Sequence, residues 1–157
     1  VIAGRGIPLD AFRVDHAAGA VERMVLEAGG HDVLILEGQG SLLHPGSTAT
    51  LPLMRGSCAT GMILCHRAGM ERLDTLGEVR VPPLAEVVAL NEAVAGAAGA
   101  LTPARVLGIA LNTSRLDEDA ARAAVDAAAK DTGLPATDPV RFGAGPLAAA
   151  IGAHPPA

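Results

Sequence analysis

Three continuous apolar runs constrain this chain most: VLIL (33–36), MILC (62–65) and VLGIAL (106–111), separated by segments with helical period. A strand with one wet face alternates apolar and polar residues. These runs do not alternate, which is how strands covered on both faces of a parallel sheet read. Between them, Val14, Ala17, Ala18, Val21, Met24 and Val25 share one face of a helix expected over 10–28, stopped by Gly29-Gly30. Leu84, Val87, Val88, Asn91 and Val94 do the same for a helix over 84–98 that follows Pro82-Pro83. A helix over 117–130 carries Asp117, Glu118 and Asp119 at its start and Lys130 at its end, as the helix dipole favours. A short helix over 48–57, an extended piece at 139–142 (PVRF) and a last helix over 145–152 complete the reading. Strands alternating with helices predict an α/β fold in three layers, with a mostly parallel sheet, flanking helices and right-handed crossovers. A length of 157 residues fits one domain, taken as 1–152 with a loose tail at 153–157.

In such sheets, ligands sit beyond the carboxyl ends of the strands. Glu37-Gly38-Gln39-Gly40-Ser41 follows the first run, His66-Arg67-Ala68-Gly69 the second and Asn112-Thr113-Ser114 the third, so all three polar segments are expected on one rim. Glu37 stands where nucleotide-binding folds place an acidic residue that holds Mg²⁺. Gly38 and Gly40 let a ligand approach backbone N–H donors, and Gln39 and Ser41 add neutral hydrogen-bonding groups. His44 and His66 are candidates for a base or a substrate partner, and with Glu37 they have the composition of a two-histidine, one-carboxylate metal site. Arg67 is suited to gripping a carboxylate or phosphate, or equally to a surface salt bridge. The Asn112 amide suits a base or acyl-amide edge, or a loop cap. In GRGIPLD (4–10), Arg5 is a further cation and Asp10 a helix cap or site residue; Asp15 follows in the helix.

Composition excludes several classes. Aromatic residues make up 1% of the chain, which leaves no stacking platform for single-stranded nucleic acid. The net charge of −5 argues against nucleic acid and anionic membranes as partners. No apolar run reaches the ~20 residues of a membrane span. Cys58 and Cys65 match no zinc or redox spacing and are expected as small buried hydrophobes in a reducing cytoplasm. The basic residues are eleven arginines and Lys130, so no lysine is present for a phosphate loop. No G-x-x-x-x-G-K-[ST], G-x-G-x-x-G after a strand, H-E-x-x-H or G-x-S-x-G occurs.

GRGIPLD, LEGQGSLLHPG, TLPLMRGS, LCHRAG and GLPATDPVRFG together resemble the C-terminal P-loop-type domain of a bacterial and archaeal family, formerly of unknown function, that includes D-glutamate N-acetyltransferases. The likeness spans nearly the whole chain, with EGQGSLLHP its most specific part. It implies a dethiobiotin-synthetase-like fold, P-loop NTPase-like but incomplete. On this reading the chain is the back part of a longer protein, whose phosphate loop and Rossmann-like N-terminal domain lie upstream; that domain is an expected partner.

Three functions follow as expectations. The first is acyl transfer from acetyl-CoA to an acidic amino acid. Glu37 or His44 is then the base, N–H groups of Gly38 to Ser41 face the oxyanion, and Arg67 or Arg5 holds a substrate carboxylate. The second is an ATP- and Mg-dependent ligase or kinase of the dethiobiotin synthetase type, with Glu37 on the metal and Asn112 at adenine. The third is a non-catalytic nucleotide-binding or assembly domain, whose Ala-rich helices suit a homo-oligomer.

Overall fold

The computed structural model describes residues 6–9, 13–38 and 40–155, with the backbone alone for Val14. Arg5, Asp10 and Gln39 lie outside the described residues. The chain packs as two compact units, Val1–Ala59 and Thr60–Ala157.

In the first unit, helix α1 (Val14–Glu27) packs against α2 (Thr50–Ser57). α1 begins at Val14 with Arg13 in the N-cap position and no side-chain cap, four residues later than the expected start. Ala17 and Val21 are the buried positions of its apolar face, whereas Asp15 and His16 are exposed, so Asp15 carries no burial cost. The two helices approach closely because Gly56 has no side chain. A Cβ there would collide with the carbonyl oxygen of Ala18 and lie 2.9 Å from Val21 Cβ. Backbone cannot yield as a flexible side chain can, so Gly56→Ala should destabilise this unit by about 1–3 kcal/mol. Chemical denaturation of the full-length protein checks this, and an unchanged midpoint would contradict the packing.

The VLIL run is not a strand. Residues 33–38 pair with no ladder among the described residues, and Val33 and Ile35 are 58% and 85% exposed. A continuous apolar run signals a buried strand only where neighbours supply both ladder and cover, and neither is found here.

The second unit holds a parallel sheet of β1 (Gly61–Arg67), β4 (Arg105–Asn112) and β5 (Ala136–Thr137), in the order β1-β4-β5. MILC and VLGIAL fall inside β1 and β4, as expected. Helices α3 (Leu84–Ala95), α4 (Glu118–Thr132) and α5 (Gly145–Ala153) flank it. Val106, Ile109 and Leu111 of β4 and Ala128 of α4 form the core cluster, with Leu84, Val88 and Val125 packed against it. Complete burial of Ile109 contributes on the order of 2 kcal/mol. The Asp117 carboxylate caps α4, accepting the Ala120 N–H at 2.8 Å. α5 runs one residue past the expected boundary of the domain at 152.

Three further features differ from the sequence reading. An antiparallel hairpin, β2 (Arg72–Leu73) and β3 (Leu76–Arg80), follows β1. Its two-residue turn is Asp74-Thr75, which lacks the glycine that usually betrays such turns. PVRF is not extended: the strand is Ala136–Thr137, and 138–142 fold into a turn on the Asp138 carboxylate. Asp before Pro favours this local arrangement over a ladder. Cys58 and Cys65 are both exposed, not buried. Cys58 occupies the left-handed C-cap of α2, and Cys65 lies in β1.

Candidate functional site

In the first unit, residues 40–50 form a polar loop leading into α2. The Ser41 N–H donates to Ser47 Oγ at 3.0 Å, and Ser47 Oγ lies 2.9 Å from Thr50 Oγ1. A Cβ on Gly40 would strike both hydroxyls, and one on Gly38 would strike the Leu53 side chain. Both glycines are thus accounted for by the folding of the loop, independently of any ligand. His44 N–H donates to the Ser41 carbonyl at 3.1 Å, and Gly46 N–H donates to His44 Nδ1 at 3.1 Å. An imidazole that accepts at Nδ1 carries its proton on Nε2 when neutral, so in this arrangement His44 presents a donor, not a base. Glu37 is exposed, just ahead of this loop.

In the second unit, the carboxyl ends of β1 and β4 bring three candidates together. Arg67 and Asn112 are register partners in the parallel ladder, with His66 one residue earlier, and Ala68 N–H donates to the Asn112 carbonyl at 3.0 Å. The Asn112 side chain is committed locally, its Oδ1 accepting Ser114 N–H at 3.0 Å in the loop-cap arrangement. Burial, and then the charge of Arg67, push His66 below its ordinary value, which keeps the imidazole neutral near pH 7. Arg67 makes a bidentate pair with Asp74 in the β2–β3 turn, at 2.5 and 2.6 Å. That hydrogen bonding raises Arg67 and holds Asp74 below the usual carboxylate range, with the charges of Arg67 and Arg115 helping for Asp74.

A second polar centre stands beside these ends; Thr113 belongs to the expected rim, whereas Asp138 and Arg141 fall inside GLPATDPVRFG without an expected site role. Asp138, 4% exposed, accepts four hydrogen bonds: from Thr113 N–H at 2.9 Å, Thr113 Oγ1 at 2.5 Å, and the N–H groups of Val140 and Arg141 at 3.0 Å each. Burial alone would raise this carboxyl, but the hydrogen bonds more than reverse that and bring it to about 2. The Arg141 guanidinium donates to the carbonyls of Asp117 and Leu116 at 3.0 Å and of Thr113 at 3.3 Å, clasping the loop after β4. Arg122 of α4 lies 4.6 Å over the Phe142 ring. The available signal was the T-D-P triplet ahead of an arginine, inside the segment GLPATDPVRFG.

The expected rim thus divides by unit. Ser41 and His44 share one loop in the first, and His66, Arg67 and Asn112 share one sheet end in the second. Among the described residues, no three His, Cys, Asp or Glu side chains come together as a metal cage. Nor is any helix there long and apolar enough to cross a membrane. Lys130 sits in the last turn of α4, where it serves the helix dipole.

Comparison with known proteins agrees with this architecture. A protein of the DUF1611 family from Anabaena variabilis, known from a crystal structure, is 54% identical with a TM-score of 0.93, over 96% of this chain and 44% of its own. A D-glutamate N-acetyltransferase of Tritonibacter scottomollicae is 36% identical over 154 residues, 98% of this chain and 46% of the relative. One from a Pseudoalteromonas species is 29% identical over 144 residues, 91% of this chain and 43% of the relative. The chain thus spans a little under half the length of these relatives. The family description that matches residues 1–148 is the DUF1611 C-terminal P-loop domain, a domain of unknown function, and the chain belongs to that family.

Proposed function

We propose that this chain is the C-terminal part of an N-acetyltransferase that moves an acetyl group from acetyl-CoA to the amino group of D-glutamate or a similar acidic amino acid. The observation that carries this reading is the 36% identity, over 98% of the chain, to a protein named for that activity. In the reaction the substrate amine, freed of its ammonium proton, attacks the thioester carbonyl carbon. A C–N bond forms, the C–S bond breaks and CoA leaves as its thiol. Glu37, exposed and acidic, takes the proton. Ser41 N–H is held by Ser47, so the backbone donor role passes to Gly38 and Gly40. In the second unit, taken by itself, Arg67 is a separate candidate for gripping an oxyanion, in the bidentate manner it already shows with Asp74.

The test is direct. The full-length protein, given acetyl-CoA and D-glutamate, should release free thiol and form the N-acetyl amino acid in equal amounts, with L-glutamate a poorer acceptor. The same protein given ATP and Mg²⁺ should hydrolyse no nucleotide in step with product. Nucleotide turnover without thiol release would replace this reading with the ligase or kinase one, and binding without either turnover with an assembly role.

A further inference from the structure

Residues 33–36 (VLIL) carry no helix, turn or ladder, yet their exposure is ordered. Val33 is 58% exposed, Leu34 37% and Ile35 85%, and Leu36 is half-buried. Exposure thus rises and falls with period two, the pattern of a strand covered on one face. The run is also seated at its end, since a Cβ on Gly38 would strike the Leu53 side chain of α2. Leu34 and Leu36 are the better covered pair, while the β-branched Val33 and Ile35 stand bare. Proteins blunt an open strand edge with charged residues or proline, and VLIL contains neither; Asp32 and Glu37 flank it from outside. An apolar segment left open in this way marks an interaction surface.

What covers it follows from size and family. The Anabaena relative matches 96% of this chain, but the match takes up 44% of the relative, so more than half of that protein lies outside it. The family description is of a P-loop domain, and a phosphate loop runs from a strand into a helix. No G-x-x-x-x-G-K-[ST] occurs in the 157 residues, and the one lysine, Lys130, lies in the last turn of α4. The domain therefore takes a further strand, loop and helix from the rest of the longer protein. We infer that VLIL is an unfinished strand, completed in the full-length protein by the strand that leads into the phosphate loop. The incoming strand supplies the ladder that 33–37 lacks, and the helix after the loop covers Val33 and Ile35. Glu37 is then fixed at the carboxyl end of a paired strand. The assignment goes beyond the acetyl-transfer reading, and its test needs no turnover.

Hydrogen exchange of the full-length protein supplies that test. The amides of 33–37 should exchange at least about 10²-fold more slowly than unprotected amides, and exchange near the unprotected rate overturns the proposal. Photo-leucine incorporated in place of leucine identifies the cover: positions 34 and 36 should capture a peptide from outside Val1–Ala157. Capture confined to this chain's own residues overturns the proposal. So does capture between copies with protection that fades on dilution, which assigns the surface to a second copy. Ile35→Thr keeps the β-branched shape but weakens apolar contact, so exchange at 33–37 should quicken by about tenfold. Should that variant fold poorly, Ile35→Val makes the same comparison with a change of about threefold. Unchanged exchange in a folded variant means that Ile35 is bare in the full-length protein, which also overturns the proposal.

Discussion

Glu37→Gln in the full-length protein is expected to lower kcat for acetyl transfer by about 10²- to 10⁴-fold, the usual contribution of a positioned general base. Glutamine keeps the shape and hydrogen-bonding reach of glutamate but cannot take the ammonium proton. Glu37 is exposed, so the substitution should move stability by no more than about 0.5 kcal/mol, and loss of rate would not be loss of fold. Thiol release under saturating acetyl-CoA and D-glutamate reads kcat directly. A fall in kcat with little change in KM identifies a group that acts in the transition state, and raised KM alone identifies a binding role. His44 provides the contrast. Its Nδ1 accepts Gly46 N–H, so truncating it also loosens the loop that carries Ser41 and Ser47. Unchanged turnover in Glu37→Gln would remove the base assignment.

What the sequence conveyed follows from how local each signal was. β1 and β4 were legible because MILC and VLGIAL are apolar without alternation, and Val106, Ile109 and Leu111 are indeed buried. α4 was legible because its acidic start and basic end are neighbours in sequence, and Asp117 caps it. VLIL carried the same pattern and misled, because apolarity reports what a strand needs and not whether a ladder partner is met. The hairpin turn Asp74-Thr75 was missed for want of a glycine. The Arg67 and Asn112 side chains were placed at the right strand ends, yet their partners Asp74 and Ser114 were not foreseen. The largest omission was Asp138. Its partner Thr113 lies 25 residues away, and no periodicity or spacing rule couples a residue after one strand to a residue after another.

That omitted contact supports the second large effect. Asp138→Asn should destabilise the domain by roughly 2–4 kcal/mol, a fall in Tm of about 4–16 °C for a domain of this size. Oδ1 accepts the Val140 and Arg141 N–H groups while Oδ2 accepts Thr113 N–H and its hydroxyl. An asparagine has one acceptor oxygen, so its NH₂ must face one of these donor pairs. If it faces Thr113 the hydroxyl can turn to accept, but the buried Thr113 N–H has nothing to donate to. Thr113→Val removes only the hydroxyl bond and should cost about 1–2 kcal/mol, which separates the two halves of the contact. The acid dependence has a defined sign. Asp138 titrates at about 2 when folded against 3.8 when free, so its ionisation supports the fold in full above the free value and ceases to do so as pH falls through about 2. Over that window, wild type should lose roughly 2 kcal/mol that Asp138→Asn has already lost, giving the variant a flatter acid profile. Denaturation midpoints of the full-length protein and both variants at pH 7, 4 and 2.5 measure this. A variant with wild-type stability at pH 7 and an unchanged slope below pH 4 would mean that the buried carboxylate does not hold the β4 loop.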